Sequence, residues 1–397
     1  MWSDRHVVLG VSGGIASYKS CFLARLLTEA GARVDVVMTR SAAEFVRPVT
    51  FEALTGRPVL SSLWEKDGAL AHVRWGQQAD LILVAPATAQ LIARMAQGLA
   101  DDALTALLLA STAPIVLAPA MNDEMFAHPQ TRANLACLRE RGISIVGPET
   151  GALAEGPSDR PGRMSEPTTI LAHAARRLSM GGPLDGKRVV VTAGPTREPI
   201  DPVRVVTNRS SGKMGYRIAE VAWQRGADVL LISGPVGLEP PTGVTVDRVE
   251  TTAQMEQAVA AALPTTDLLV MAAAPADFRP AAPTRTKRQR SAGALQLQLE
   301  PTRDILQATL EARKPGSLMV GFALETGDAE SRGRTKLERK QLDLVVVNDA
   351  LEPGAGFEVD TNRVTLLDRF GERVVVPLQD KRAVAGAILD AVEQLLG

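Results

Sequence analysis

The sequence predicts an α/β protein made of two doubly wound domains. Three observations carry this. Short apolar runs of strand type alternate with helical stretches, the pattern of parallel sheets with crossover helices. The alternation runs over 6–147, stops in a Gly- and Pro-rich stretch at 151–167, and resumes at 188. At 397 residues the chain is long for one core, so two or three domains are expected.

The elements follow in order. HVVLGV (6–11) reads as a buried strand, SGGIASYKSCFLARLLTEAG (12–31) as a helix ending in glycine, and RVDVVMT (33–39) as a second strand. LILVAP (81–86), a helix near 88–97, APIVLAP (113–119), a helix near 129–141 and ISIVG (143–147) continue the pattern. GALAEGPSDRPGRMSEP (151–167) reads as a mobile flap or loop. A short helix (168–179) leads to a linker, MGGPLDGK (180–187), and sets the division into 1–181 and 182–397. The second series is RVVVTAG (188–194), a helix at about 213–225, DVLLIS (228–233), DLLVMAAA (267–274), LMVGFAL (318–324), a charged helix at about 328–341 and LVVVN (344–348). A hairpin and a helix close the chain.

Composition narrows the classes. The hydrophobic fraction of 45% supports full cores, and an aromatic fraction of 4% makes them aliphatic. A formal net charge of −1 gives no general pull toward nucleic acid or anionic membrane. Cys21 and Cys137 both fall in predicted helices, which suits buried thiols in a reducing compartment rather than a disulfide framework. The N-terminus lacks the basic start and apolar stretch of a signal peptide. No apolar run reaches the ~20 residues of a membrane helix. A soluble cytoplasmic protein is expected.

In the first domain GVSGGIAS (10–17) follows a strand and opens a helix, where backbone N–H groups and the helix dipole can hold a phosphate. A plain tight turn is the other reading. A dinucleotide site wants Asp or Glu at the end of the second strand, but that strand ends Met38-Thr39-Arg40. The loop therefore favours a nucleotide with one terminal phosphate, such as FMN. PAMNDEMF (119–126) lies at the carboxyl edge of the sheet, where Asn122 is either a ligand for a carboxylate or a turn residue. Of the four histidines, His72 stands just before a buried strand, either as a structural residue or as a group for proton transfer.

SGGIA, the His72 segment, APAT (85–88), PAMNDEMF and the flap recur in an order that resembles the FMN-dependent phosphopantothenoylcysteine decarboxylases, over 5–180. The resemblance implies a flavodoxin-like flavoprotein domain. It implies oxidation of the substrate at the carbon bearing its thiol, loss of CO₂ from the resulting thioaldehyde, and return of the hydride. Ser12, Gly13, Gly14, Thr39 and Thr88 would contact FMN, His72 would be the base or orienting group, and Asn122 would bind the substrate carboxylate. The family commonly carries LACG in the flap, whose cysteine protonates the intermediate before its reduction; here LAEG puts Glu155 there. A carboxyl raised by desolvation can also donate a proton. An ordinary solvated loop residue is the alternative.

In the second domain TAGPTREPIDPVRVVTNRSSGKMG (192–215) reads as one long loop ending in a helix start, stiffened by Pro195, Pro199 and Pro202. It is not a Walker A loop, because Thr207 and Met214 stand where glycine and Ser or Thr are needed. Arg197, Arg204, Arg209 and Lys213, with Ser210, Ser211 and Gly212, nevertheless make a large anion site.

This stretch closely resembles the CTP-using phosphopantothenate–cysteine ligases, over 184–396, with a Rossmann-like fold implied. In that family CTP activates the carboxylate of 4′-phosphopantothenate as an acyl-cytidylate, and the amine of L-cysteine then displaces CMP. Asn208 matches the asparagine that handles the acyl-cytidylate. Asp277 of PADF, Lys287 of the basic run RTKRQR (285–290), Arg303, Asp304, Ile305 and Leu306 of RDIL, and Phe322 would serve CTP. Lys336 and Lys340 lie on one helix face and would reach phosphates, although TKLERKQLD taken alone reads as a solvated face. Few aromatics and the slightly acidic balance speak against nucleic acid as the partner of the basic run. Mg²⁺ is expected with the triphosphate.

Together the resemblances imply a bifunctional enzyme of coenzyme A synthesis that makes 4′-phosphopantothenoyl-L-cysteine and decarboxylates it to 4′-phosphopantetheine. They also imply a homo-oligomer, a dodecamer of flavin-domain trimers and ligase-domain dimers. The rival readings are an active ligase with an altered flavin half, because of Glu155, and a flavin domain that serves only assembly.

Overall fold

The computed structural model describes residues 2–64, 68–287, 289, 295–325, 328–349, 354, 356 and 359–397. The chain divides after Met180 into two compact units.

The first unit contains β1 (His6–Val11), α1 (Ser17–Glu29), β2 (Arg33–Met38), α2 (Pro48–Thr55), β3 (Val59–Leu60), α3 (Gly68–Gln78) and β4 (Leu81–Ala87). It continues with α4 (Ala89–Gln97), α5 (Ala103–Ala110), β5 (Ile115–Pro119), α6 (Asp123–Ala127), α7 (Pro129–Glu140), β6 (Ser144–Ile145) and α8 (Pro167–Leu178). All six strands are parallel, in the order β3-β2-β1-β4-β5-β6. Without the two-residue edge strand β3, the order counted along the chain is 2-1-3-4-5, the flavodoxin type. Helices cover both faces, so β1 and β4 are buried along their whole length. Val7, Leu9 and Val11 of β1 pack with Leu23 and Leu27 of α1 and Ile170 of α8. Val8 faces the other layer with Ile92 of α4, Leu104 of α5 and Leu135 of α7. Cys21 and Cys137 are half-buried free thiols.

The second unit contains β7 (Arg188–Ala193), β8 (Arg197–Pro199), β9 (Val205–Thr207), α9 (Lys213–Gln224), β10 (Asp228–Ser233), β11 (Thr245–Arg248), α10 (Thr252–Ala262) and β12 (Leu268–Met271). It ends with β13 (Phe278–Pro280), β14 (Leu299–Pro301), α11 (Ile305–Thr309), β15 (Leu318–Glu325), α12 (Ala329–Arg339), β16 (Leu344–Asp349), β17 (Thr361–Asp368), β18 (Arg373–Asp380) and α13 (Lys381–Leu396). Its main sheet runs β11-β10-β7-β12-β15-β16-β17-β18. Its first six strands are parallel in Rossmann order, and β17 and β18 add an antiparallel edge. The expectation of one long loop over 192–215 is corrected: it holds the antiparallel hairpin of β8 and β9. Asp201 makes the turn by accepting from the backbone N–H of Val203 and Arg204, both at 2.9 Å. Buried Glu198 ties β8 to α10 by accepting from Thr252 N–H at 2.7 Å. Among the described residues, no helix is long and apolar enough to cross a membrane.

Candidate active sites at the two sheet switch points

In an open parallel sheet, ligands bind beyond the strand ends where the order reverses. In the first unit that point lies between β1 and β4. Ser12, just after β1, is buried; its hydroxyl donates to Pro86 O at 2.7 Å and accepts from Thr88 N–H at 3.1 Å. The two loops are therefore locked together. Gly13 is required by close approach, since a Cβ there would lie 2.3 Å from Ser41 Cβ and 2.7 Å from its carbonyl carbon. Ala16 starts α1 without a side-chain cap, and no acidic residue occupies its first turn. Ser17 N–H and Lys19 N–H are bonded to Gly14 O (2.9 Å) and Ala16 O (3.0 Å), so what this helix start offers an anion is chiefly the positive end of its dipole.

A cavity of about 550 Å³ opens at this edge, lined by Gly13, Gly14, Thr88, Asn122, Glu155 and others from the same loops. Asn122 caps α6, its Oδ1 accepting from Glu124 N–H (2.9 Å) and Met125 N–H (3.3 Å). Among the described residues its Nδ2 has no hydrogen-bond partner, so a donor remains at the cavity. Glu155 is exposed at the tip of the flap. The flap is tied to the Asn122 segment: Met121 N–H donates to Gly162 O (3.0 Å), Ser158 Oγ donates to Asp123 Oδ2 (2.6 Å), and Arg160 pairs with Glu124. The Ser158 bond leads the interactions that hold the Asp123 carboxyl below its ordinary range.

Three expected residues lie off this cavity's lining. Ser12 is buried beneath it, Thr39 uses its hydroxyl to accept from Ala42 N–H at 3.3 Å, and His72 is on α3. His72 Nδ1 is buried with no partner among the described residues. The sequence reading passed over Lys19, which lines the cavity yet is only 6% exposed. A signal for it existed: Lys19 shares a helix face with Leu23 and Leu27, both fully buried.

In the second unit the switch point lies between β7 and β12. The loops after them meet in a bridge of Pro195 with Ala274, and Ala274 N–H donates to Gly194 O at 2.9 Å. Asn208 Nδ2 spans the same junction, donating to Ala274 O (3.2 Å) and Pro275 O (2.9 Å). Gly212 starts α9 at φ +75°, without a side-chain cap and with no acidic residue in the first turn. Ser210 Oγ accepts from Gly212 N–H at 3.4 Å, and Lys213 pairs with Asp360 at 2.7 Å.

The remaining residues fall into a second group. Asp304 caps α11 and pairs with Lys340 at 2.8 Å. Burial pushes its carboxyl up, but the bond and charge of Lys340 hold it below the ordinary range. Lys336 Nζ donates to Phe322 O at 2.5 Å. Both lysines therefore turn inward rather than forming a purely solvated face. Ile305 and Leu306 put their side chains in the core, leaving only backbone for a ligand. Arg303 pairs with Glu256 at 2.8 Å, the Asp277 carbonyl accepts from Thr302 N–H at 2.9 Å, and Lys287 is exposed. Arg288 and Arg290 of the basic run lie outside the described residues.

Residues 1–179 match the family model described as Flavoprotein, and 184–396 match that of the DNA/pantothenate metabolism flavoprotein C-terminal domain. The coenzyme A biosynthesis bifunctional protein CoaBC of Bacillus subtilis is 44% identical over 400 residues, covering 100% of this chain and 98% of that protein. The CoaBC of Mycobacterium tuberculosis is 47% identical over 407 residues, covering 99% and 97%. A crystal structure of a CoaBC C-terminal domain is 42% identical, with a TM-score of 0.46, and covers 54% of this chain and 98% of that one. The chain belongs to the family of coenzyme A biosynthesis bifunctional proteins CoaBC.

Proposed function

We propose that residues 182–397 join 4′-phosphopantothenate to L-cysteine using CTP, and that residues 1–181 decarboxylate the product to 4′-phosphopantetheine with FMN. The observation that carries this reading is the cavity at the first switch point, where the glycine loop, Asn122 and flap residue Glu155 face one another.

In the flavin half, the uncapped start of α1 with Gly13 and Gly14 takes the FMN phosphate, flanked by Ser12, Thr39 and Thr88. The flavin, when bound, supplies the reversible hydride acceptor for the carbon bearing the substrate thiol. Asn122 Nδ2 donates to the substrate carboxylate, which leaves as CO₂. Glu155 then delivers a proton to the substrate carbon from above the cavity. His72 acts as the base or orienting group, and binding across subunits belongs to the same reading. Ile15, Tyr18 and Phe22 of the 15–22 segment are 63%, 54% and 58% exposed, which supports such an interface. Assembly into trimers through this unit and dimers through the other, hence a dodecamer, belongs to the same reading, as does a cytoplasmic location.

In the ligase half, a carboxylate oxygen of 4′-phosphopantothenate attacks the α-phosphorus of CTP and pyrophosphate leaves. The cysteine amine attacks the acyl carbon, loses a proton, and CMP departs with that oxygen. Asn208, at the junction of the two loops, handles the acyl-cytidylate. Ser210, Ser211, Gly212 and Lys213 hold the anionic groups beside it. Asp277, Lys287, the 303–306 segment, Phe322, Lys336 and Lys340 serve CTP. Mg²⁺ travels with the triphosphate; among the described residues no group of three His, Cys, Asp or Glu side chains forms a dedicated site.

The test uses 4′-phosphopantothenate labelled with heavy oxygen in its carboxylate. CMP carrying one heavy oxygen is expected. Unlabelled CMP, or product formation without CTP, would sink the ligase reading. Transient bleaching of the flavin's visible absorbance by phosphopantothenoylcysteine, followed by its recovery under anaerobic conditions, is expected of the other half, and absorbance that never changes would count against it.

A further inference from the structure

Lys19 is a lysine in the wrong place for solvent. It sits in the first turn and a half of α1, with its side chain 7% exposed, directly beneath the cavity. Its ammonium does not turn to the glycine loop. It donates to Met164 O and to Glu166 Oε1, both at 2.9 Å. Arg163 Nη2 donates to the same carboxylate oxygen at 2.5 Å. The Lys19 bond is the chief cause holding the Glu166 carboxyl below its ordinary range. Glu166 begins α8 yet makes no side-chain cap there, so its carboxylate serves this cluster instead.

The position of this cluster gives it a role. The two limbs of the flap close at Glu149 and Arg163, where Glu149 N–H donates to Arg163 O (2.7 Å) and Arg163 N–H donates to Glu149 O (3.1 Å). One residue further, Met164 is buried in the core with its carbonyl on Lys19. Beyond this closure the flap tip bears Glu155, between Gly151 and Gly156, both at positive φ. The tip is itself held, with Leu153 N–H donating to Gly156 O (2.8 Å), Gly156 N–H to Leu153 O (3.1 Å) and Gly151 N–H to Ser158 O (3.2 Å), so its place follows the base, which is fixed to α1. We infer that Lys19 is a positioning residue: through Met164 and Glu166 it fixes the flap base to α1, and so sets where Glu155 stands over the cavity. This deepens the reading of 1–181 as a decarboxylase and rests on it.

The test compares the full chain with Lys19→Met and, because that variant can fail to fold, with Glu166→Gln. Two measurements are made on each. The first is amide hydrogen exchange without FMN. Exchange is expected to rise about tenfold or more over 151–164 while the core strands keep their protection. The second is the product ratio with phosphopantothenoylcysteine and FMN. A displaced proton donor shifts product toward the enethiol, two mass units lighter than 4′-phosphopantetheine, whose missing hydride stays with the cofactor and passes to dioxygen. Ligation, carried by the other unit, keeps its rate. If the wild-type chain decarboxylates, yet neither variant changes flap exchange or product ratio, the inference is overturned. A uniform rise in exchange through the whole unit overturns it too, because Lys19 then only supports the fold. If exchange rises in the flap while the wild-type chain decarboxylates nothing, the anchor stands and the decarboxylase reading falls.

Discussion

Replacing Gly212 by alanine separates backbone strain from crowding at the ligase site. Gly212 has φ +75°, and an added Cβ would lie 2.9 Å from Val236 Cγ1 and 3.3 Å from Gly194 N and Cα. Gly316 has nearly the same backbone, φ +77°, with nothing within 4 Å of its Cβ position. Both alanines incur about 1–2 kcal/mol for the left-handed conformation. Only Gly212→Ala adds the crowding, worth about 1–3 kcal/mol when the contacts are backbone and a stiff valine. A unit of this size loses about 2–4 °C of Tm per kcal/mol. Gly212→Ala is therefore expected to melt about 2–12 °C below Gly316→Ala in the second unit's transition. It should also lose CTP-dependent ligation, because relief of the clash moves Gly194 and the loop bridged to Ala274. Calorimetry of the full chain with ligation assays reads both. Equal melting and equal ligation in the two variants would refute the packing reasoning at this loop.

Other outcomes follow from particular contacts. Glu155→Gln is expected to lower 4′-phosphopantetheine formation about a hundredfold, the usual worth of a positioned acid, while Glu155→Cys retains it; equal rates in wild type and Glu155→Gln would remove Glu155 from the chemistry. The buried Asp35 carboxyl is pushed up by desolvation, but hydrogen bonds and charges from His6 and Arg57 outweigh this and hold it below its ordinary range. Its contribution is present above the ordinary carboxylate pKa and lost as pH falls through the lower folded value. The melting gap between wild type and Asp35→Asn in the first unit should narrow as pH falls, and a constant gap would contradict the assignment. Burial pushes the Lys381 amine down to about 8, with Lys213 adding to the shift and Asp360 opposing it. The fold then favours its neutral form, so stability relative to Lys381→Met should rise as pH climbs from about 8 toward the ordinary lysine value. A flat difference would rule out this linkage.

The buried strands were the most legible part of the sequence. DVLLIS coincides with β10, and HVVLGV with β1, because strands covered on both faces read as unbroken apolar runs. Helices with less contrast were missed. In α5, ALTALLLA is apolar all round and buried at five of its eight residues, so no face stands out. The β8–β9 hairpin was hidden by prolines and depends on the Asp201 turn and the Glu198 tie to α10. At the sites, the glycine loops and Asn122 were visible as motifs, but partner choice was not. Nothing in the sequence showed that Lys336 turns to the Phe322 carbonyl, that Lys340 meets Asp304, or that Lys19 reaches Met164 across 145 positions. Such contacts are set by tertiary packing, which local spacing does not encode.

The most direct single measurement is mass spectrometry of the products formed by the full chain from 4′-phosphopantothenate, L-cysteine, CTP, Mg²⁺ and FMN. The expected result is 4′-phosphopantetheine, matched one for one by CMP and CO₂. Accumulation of 4′-phosphopantothenoyl-L-cysteine with no CO₂ released would contradict the coupling of two working sites in one chain.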